Sequence, residues 1–289
     1  MSAGTALLDR PTLSRLNEVA GLTDAQKAQF EQDGFIVLRG LFSSAEAAQI
    51  RDAFMDANSD GPVEGLSAIG EGVVDASDPL KFYPRMMNPH AQLEHEVGRI
   101  SRDFLLHPRL YPILKDLFGE EPAGVQTMFY FKPAGARGQE LHQDNFYLRV
   151  KPGTCMAAWL AVDDVDAGNG GMKVVPGSHR EDVACPQQAD PTVSFTSEYV
   201  PVPSGMEAVP CDMKAGDVLF FNGSVIHGST PNTSTDRFRR SLIAHYVSAN
   251  SQEVSEWYRP YTFSGETFEI PAAQGGGPCG TPQAAMGPH

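Results

Sequence analysis

The stretch CMAAWLAVDDVDAGNGGMKVVP, residues 155–176, sets two short apolar runs, CMAAWLAV and MKVVP, on either side of the turn-forming cluster DAGNGG. Neither run is long enough for an amphipathic helix, and each is bounded by Gly, Asp or Pro, so each reads as a short strand. The same texture continues on both sides. VQTMFYFK (125–132), NFYLRV (145–150), DVLFF (217–221) and SLIAHYV (241–247) are further strand-like runs, parted by KPAGARG and NGS. Many short antiparallel strands predict a sandwich or barrel from about residue 124 to 250. The stretch before it reads differently. AQKAQFEQDG follows Thr23-Asp24 as a cap and stops at Gly34; FIVLRG is a short buried strand; LFSSAEAAQIRDAFMDAN is a helix capped by Ser43 or Ser44. Ala91–Leu106 and PRLYPILKDLFG add two helical stretches, and residues 58–79 form a long Gly/Asp/Ser-rich loop. Helices first and strands afterwards, without βαβ alternation, predict an α+β fold.

One domain over residues 1–270 accounts for this pattern, with the Gly/Pro/Ala-rich 271–289 expected to be a disordered tail. A composition 41% hydrophobic and 20% charged supports a buried core. No run of about 18 apolar residues is present, and the N-terminus lacks a secretory pattern, so a cytoplasmic protein is expected. The net charge of −14 argues against nucleic acid and anionic membranes as partners. Cys155, Cys185, Cys211 and Cys279 are scattered without a C-x-x-C pair, which predicts four unpaired thiols and a reducing compartment.

The chemistry centres on His142-Gln143-Asp144. In a strand, residues i and i+2 share a face, so His142 and Asp144 can aim at one point while Gln143 points away. His227, after GDVLFFNGSVI, offers a third ligand at a strand end. Two histidines and a carboxylate on one face of an octahedron suit a non-haem iron(II) oxygenase, with positions left open for co-substrate and oxygen. About a dozen residues beyond His227 lie Arg237, Arg239 and Arg240. A guanidinium there can grip the distal carboxylate of 2-oxoglutarate bidentately. Met128 and Lys132 share a strand face that can reach the same pocket. His179 reads as a turn-fixing residue, His245 as packing with a polar contact, and Pro231, Asn232 and Gly170-Gly171 as turn formers. KFYPR (81–85) and NFY (145–147) place cations and aromatics near the expected pocket mouth, suiting an anionic or ring-containing molecule.

The segments LHQD (141–144), AAWLAVDDVDAGNGGMKVVPGSHR (157–180), GDVLFFNGSVIHGSTPN (216–232) and FRRSLIAHY (238–246), with DGFIVLRGLF (33–42), together resemble the phytanoyl-CoA dioxygenase family of 2-oxoglutarate-dependent oxygenases. The resemblance implies a double-stranded β-helix, a cupin-like jelly roll, with helices packed outside. It implies iron(II) on His142, Asp144 and His227, and 2-oxoglutarate and O2 as co-substrates. It selects Arg239, which follows a Phe at the start of its strand, as the keto-acid anchor, with Arg237 and Arg240 as alternatives. Trp159 and Ser229 match positions that line the co-substrate site. Related halogenases carry Ala or Gly at the carboxylate position, so Asp144 implies hydroxylation, desaturation or another oxidative rearrangement rather than halogenation. Hydroxylation of a small-molecule metabolite or natural-product intermediate of secondary metabolism, releasing succinate and CO2, is the expectation. A fatty acyl-CoA hydroxylase is one alternative; a cupin-type metal protein working without 2-oxoglutarate is another. A monomer and a homodimer fit the sequence equally.

Overall fold

The computed structural model describes residues 20–274 together with 279 and 280. Helix α1 (Asp24–Asp33) begins with a capping box: Gln26 N donates to the Thr23 hydroxyl and Thr23 N donates to the Gln26 carboxamide. Gly34, at φ +80°, ends it in the left-handed region, and a Cβ there would lie 2.4 Å from His179 Nδ1. His179 thus packs against the exit of α1, consistent with its reading as a turn-fixing residue. Strand β1 (Phe35–Leu38) follows, and then α2 (Ser44–Ala57), capped by Ser43 and Glu46 in the same reciprocal way. Beyond the irregular 58–78 segment come β2 (Met86–Met87), α3 (Glu96–Leu105) and α4 (Tyr111–Phe118), the last closed by left-handed Gly119. Then come β3 (Pro122–Tyr130), β4 (Gln139–His142), the single turn α5 (Asn145–Leu148), β5 (Met156–Ala161) and β6 (Met172–Val174). The remaining strands are β7 (Gln187–Gln188), β8 (Glu198–Tyr199), β9 (Val209–Cys211), β10 (Val218–Asn222), β11 (His227–Ser229) and β12 (Ser241–Ser248).

The strands form a large sheet in the order β1-β10-β5-β12-β3-β2 and a small one in the order β4-β11-β6-β9, with β7-β8 apart. All the named pairs are antiparallel. The two sheets face each other as the expected double-stranded β-helix. The large sheet is buried on both faces, which is why its strands read as continuous apolar runs. Parity sorts the two faces. Met128, Tyr130, Trp159, Leu219, Phe221 and Ile243 meet Met172 and Cys211 of the small sheet inside the barrel. Their neighbours Phe129, Phe131, Leu160, Phe220, Leu242 and Tyr246 meet Ile50, Phe54, Ile100, Phe104 and Leu114 of the helices outside. β1 is the exception: as an edge strand it is only partly buried.

Three expectations are corrected. NFYLRV is not a strand: Leu148 N donates to Asp144 O, Arg149 turns left-handed at φ +54°, and Val150 N donates to the Asn145 side chain. Phe146, Leu148 and Val150 are all buried, so the sequence alternates as a strand would although the backbone makes one helical turn. Cys185 and Cys279 form a disulfide, so only Cys155 and Cys211 are free thiols, both buried. The ordered chain also passes residue 270: Ala272 pairs with Val254 in a parallel bridge and Ala273 is buried. Residues 275–278 and 281–289 of the expected disordered tail lie outside the described residues, as do 1–19. No helix among the described residues is long and apolar enough to cross a membrane.

The Phe54 ring of α2 stacks on Phe129 of β3 at 3.7 Å and 5° between planes, tying the helical layer to the sheet. Phe54→Ala is expected to cost about 3–5 kcal/mol in denaturant unfolding, while leaving the metal affinity of the folded fraction unchanged. A second prediction concerns pH. Burial, reinforced by the Arg102 charge, pushes His90 down to about 3, and its Nδ1 lies 2.9 Å from the Thr127 hydroxyl. The unfolded chain takes up this proton near pH 6.5 but the folded chain only near 3, so the stabilisation is full above about 6.5 and is lost as pH falls toward 3. Between pH 7 and 5 the loss from this group is about 2 kcal/mol. Thermal melts of His90→Asn should therefore fall less steeply over that range than those of the wild type; parallel curves would count against it.

Candidate active site

His142 ends β4 and His227 begins β11, and the two residues are directly paired across the strands. Each imidazole Nδ1 meets a backbone carbonyl two residues back in the chain, His142 with Glu140 O at 2.9 Å and His227 with Val225 O at 3.0 Å. A carbonyl only accepts, so Nδ1 carries the proton and Nε2 presents its lone pair. Both Nε2 atoms lie 3.5 Å from the same oxygen, Asp144 Oδ1. Ligand atoms of the three residues all fall within 4.8 Å of one another, and all three side chains are buried. Two neutral imidazoles and one carboxylate turned to one point form a donor set that could hold iron(II). Burial is the main cause that pushes His227 down to about 4, against the opposing pull of Asp144, which keeps the ring neutral at physiological pH.

Asp144 reaches this point by a route that strand parity does not describe. It sits at φ −61°, ψ −34°, already turned into α5, so its carboxylate is aimed by the helical turn. Gln143 does point away, and it is buried rather than solvated. Its Nε2 donates to Ser224 O at 2.7 Å and its Oε1 accepts from Ala184 N at 2.8 Å, tying the loops before His227 and after His179 to this turn. The other Asp144 oxygen, Oδ2, accepts from His245 Nε2 at 2.9 Å. His245 belongs to β12 of the large sheet, so this bond crosses the barrel. Its sequence signal was parity with Ile243; the polar contact expected of it is made, and its partner, Asp144, is what the sequence did not indicate.

The triad opens into a cavity of about 370 Å³ that is also lined by Met128, Trp159, Ser229 and Arg239, the four residues expected at the co-substrate site, and by His245. Of the three arginines, Arg239 alone lines it. Arg237 is engaged at the surface with Asp166, and Arg240 makes a two-pronged pair with Asp163 at 2.8 Å. The Arg239 guanidinium lies 5.3 Å from the Trp159 ring and donates to Gly170 O and Ser241 Oγ. Burial lowers its pKa to about 10, so it remains a cation at neutral pH. Lys132, reached by the same parity as Met128, is also buried, and its Nζ donates to Ser229 Oγ at 2.8 Å.

Tyr130 and Arg239 also line a second cavity of about 410 Å³, where Tyr83, Arg85 and Phe195 meet. Tyr83, Pro84 and Arg85 of the KFYPR segment thus line this second cavity rather than the one at the triad. Arg85 donates to Tyr130 Oη at 3.0 Å and pairs with the half-exposed Glu71 of the 58–78 segment. From the NFY segment, Tyr147 comes within 6.4 Å of the His142 ring and donates to Glu198 at 3.5 Å.

Solved structures share this architecture. The epimerase SnoN in complex with Fe3+, alpha ketoglutarate and nogalamycin RO superposes with a TM-score of 0.62 at 22% identity, covering 79% of this chain and 84% of that one. EctD from S. alaskensis, with 2-oxoglutarate and 5-hydroxyectoine, gives 0.60 at 22% identity, with 84% of each chain covered. A double-stranded β-helix enclosing a His-x-Asp…His set defines a non-haem iron(II), 2-oxoglutarate-dependent oxygenase. The family profile described as Phytanoyl-CoA dioxygenase (PhyH) matches residues 30–241, and the chain belongs to that family. Phytanoyl-CoA dioxygenase 1 of Oryza sativa subsp. japonica is 27% identical over 261 residues, 81% of this chain and 92% of the relative. Phytanoyl-CoA dioxygenase domain-containing protein 1 of Mus musculus is 25% identical over 282 residues, 84% and 96%.

His245 gives the site a direct test. Replacing it with Ala removes the donor that orients Asp144, and outer partners of metal ligands typically contribute roughly 10–100-fold in affinity. Competition with a chelator should show iron(II) binding weakened by that factor in His245→Ala and abolished in Asp144→Ala.

Proposed function

We propose that the chain oxidises, by hydroxylation, an unactivated C–H bond of a small-molecule metabolite or natural-product intermediate, with His142, Asp144 and His227 as iron ligands and Arg239 as the anchor of 2-oxoglutarate. The observation that carries this reading is the buried Arg239 cation against Trp159, in the cavity that the triad opens into. A guanidinium in so dry a site calls for an anion, and the distal carboxylate of a keto acid is the planar, two-oxygen partner it fits. Bound there, iron with 2-oxoglutarate and O2 would supply the oxidising power, the keto acid leaving as succinate and CO2.

The residues of the chain bind and orient. Glu140 O and Val225 O hold the two imidazoles in the ligating tautomer, and His245 holds the carboxylate. Trp159, Met128, Phe221 and Ile243 make the cavity wall apolar, which limits water at the reacting centre. The second cavity, sharing Tyr130 and Arg239 with the first, is read as the substrate pocket. Aromatic Tyr83, Tyr130 and Phe195 with cationic Arg85 suit an anionic or ring-containing substrate.

Anaerobic titration of the iron(II)-loaded protein with 2-oxoglutarate should raise the visible charge-transfer absorption of a chelated keto acid, and aerobic turnover should release succinate. Arg239→Ala is expected to raise the KM for 2-oxoglutarate by roughly 100-fold, the scale for removing one partner of a buried charge pair. Activity independent of 2-oxoglutarate, and intact in Arg239→Ala, would instead identify a cupin-type metal protein.

A further inference from the structure

Lys132 follows the end of β3 and occupies a costly place. Its backbone is left-handed at φ +38°, uncommon for a residue with a side chain, and its carbonyl accepts from both Arg239 N (3.0 Å) and Asn232 Nδ2 (3.1 Å). Its side chain is buried and its Nζ meets three acceptors: Ser229 Oγ at 2.8 Å, Gly170 O at 3.2 Å, and Thr230 O. Burial and the neighbouring Arg239 charge push this amine's pKa well down, while three acceptors, matching the three N–H bonds of an ammonium, favour the charged form. Gly170 O is shared, because Arg239 Nε donates to it at 3.1 Å. The two cations are therefore tied to one carbonyl, on a glycine at φ +85° where a Cβ would come within 2.8 Å of the Lys132 stem.

The consequence falls on Ser229. Its oxygen accepts from Lys132 Nζ and, at 3.3 Å, from Gln139 N. A hydroxyl has two lone pairs, and both are engaged by groups that can only donate. Its own proton is then free to turn toward the cavity that Ser229 and Arg239 both line. We propose that Lys132 is a positioning residue for the co-substrate: by donating to Ser229 Oγ it turns the serine hydroxyl into a fixed donor beside Arg239, selective for a keto acid with a distal carboxylate. This rests on the reading of Arg239 as the keto-acid anchor.

The test is calorimetric binding, without oxygen, of two keto acids to the iron(II)-loaded protein. 2-Oxoglutarate has the distal carboxylate; 2-oxovalerate has a methyl group in its place. Lys132→Met and Ser229→Ala should each weaken 2-oxoglutarate roughly 10–100-fold, the range for a hydrogen bond to a charged group, and leave 2-oxovalerate unchanged. The double variant should lose no more than the larger single loss, because one residue acts through the other. Lys132→Gln, a milder replacement should the Met variant not fold, should show a smaller loss with the same selectivity. Equal weakening of both acids, full additivity, or no change would each overturn the proposal. A wild type that binds both acids equally well would instead overturn the Arg239 reading, so the two failures are distinguishable.

Discussion

One cross-strand pair, His142 opposite His227, governs the geometry of the site. Antiparallel register places two side chains on one face at a fixed separation, and each ring is then locked by a carbonyl of its own chain. A slip of one residue in β4 or β11 would turn one ring to the other face and leave a single imidazole in the cavity. The small sheet is short, and its register is maintained by what surrounds it. Gln143 joins the loops at its end, and the Asp144–His245 bond fastens it to the large sheet. The large sheet can act as an anchor because it is packed on both faces, by barrel side chains within and helices without.

Much of this was legible in the residues because apolar pattern and topology follow from the same burial. Short apolar runs between Gly/Asn/Asp clusters mark strands whatever their partners, and the ligand types at 142, 144 and 227 restrict the chemistry. What escaped was decided by contacts remote in sequence. Asp144 looks like a strand residue because Phe146, Leu148 and Val150 alternate, yet side-chain capping by Asn145 and a left-handed Arg149 curl the chain. His245 is separated from Asp144 by 101 positions, and its contact depends on how the sheets close. The disulfide joins two cysteines that have no spacing signature at all. The arginines show the reverse case: of three candidates close in sequence, Asp166 and Asp163 engage Arg237 and Arg240, and Arg239 lines the cavity.

Charge is distributed against the bulk composition. A chain with a net charge of −14 gathers Arg85, Lys132, Arg137 and Arg239 around one interior cavity, with Glu71 as the carboxylate lining it. Burying cations is unfavourable unless anions or carbonyls receive them. Carbonyls of residues 170 and 230 do so for Lys132, and Asp78 does so for Arg137. The acidic balance of the whole chain disfavours general anion binding, whereas four cationic side chains line this one cavity.

The Cys185–Cys279 bond closes a covalent ring in the chain. His142 and Asp144 precede the ring, while His227, Arg239 and His245 lie within it. A protease that cuts once between the two cysteines therefore opens a loop without releasing a fragment, so His142, Asp144 and His227 remain parts of one molecule. The bridge gives the site a continuity of chain that its hydrogen bonds alone do not supply.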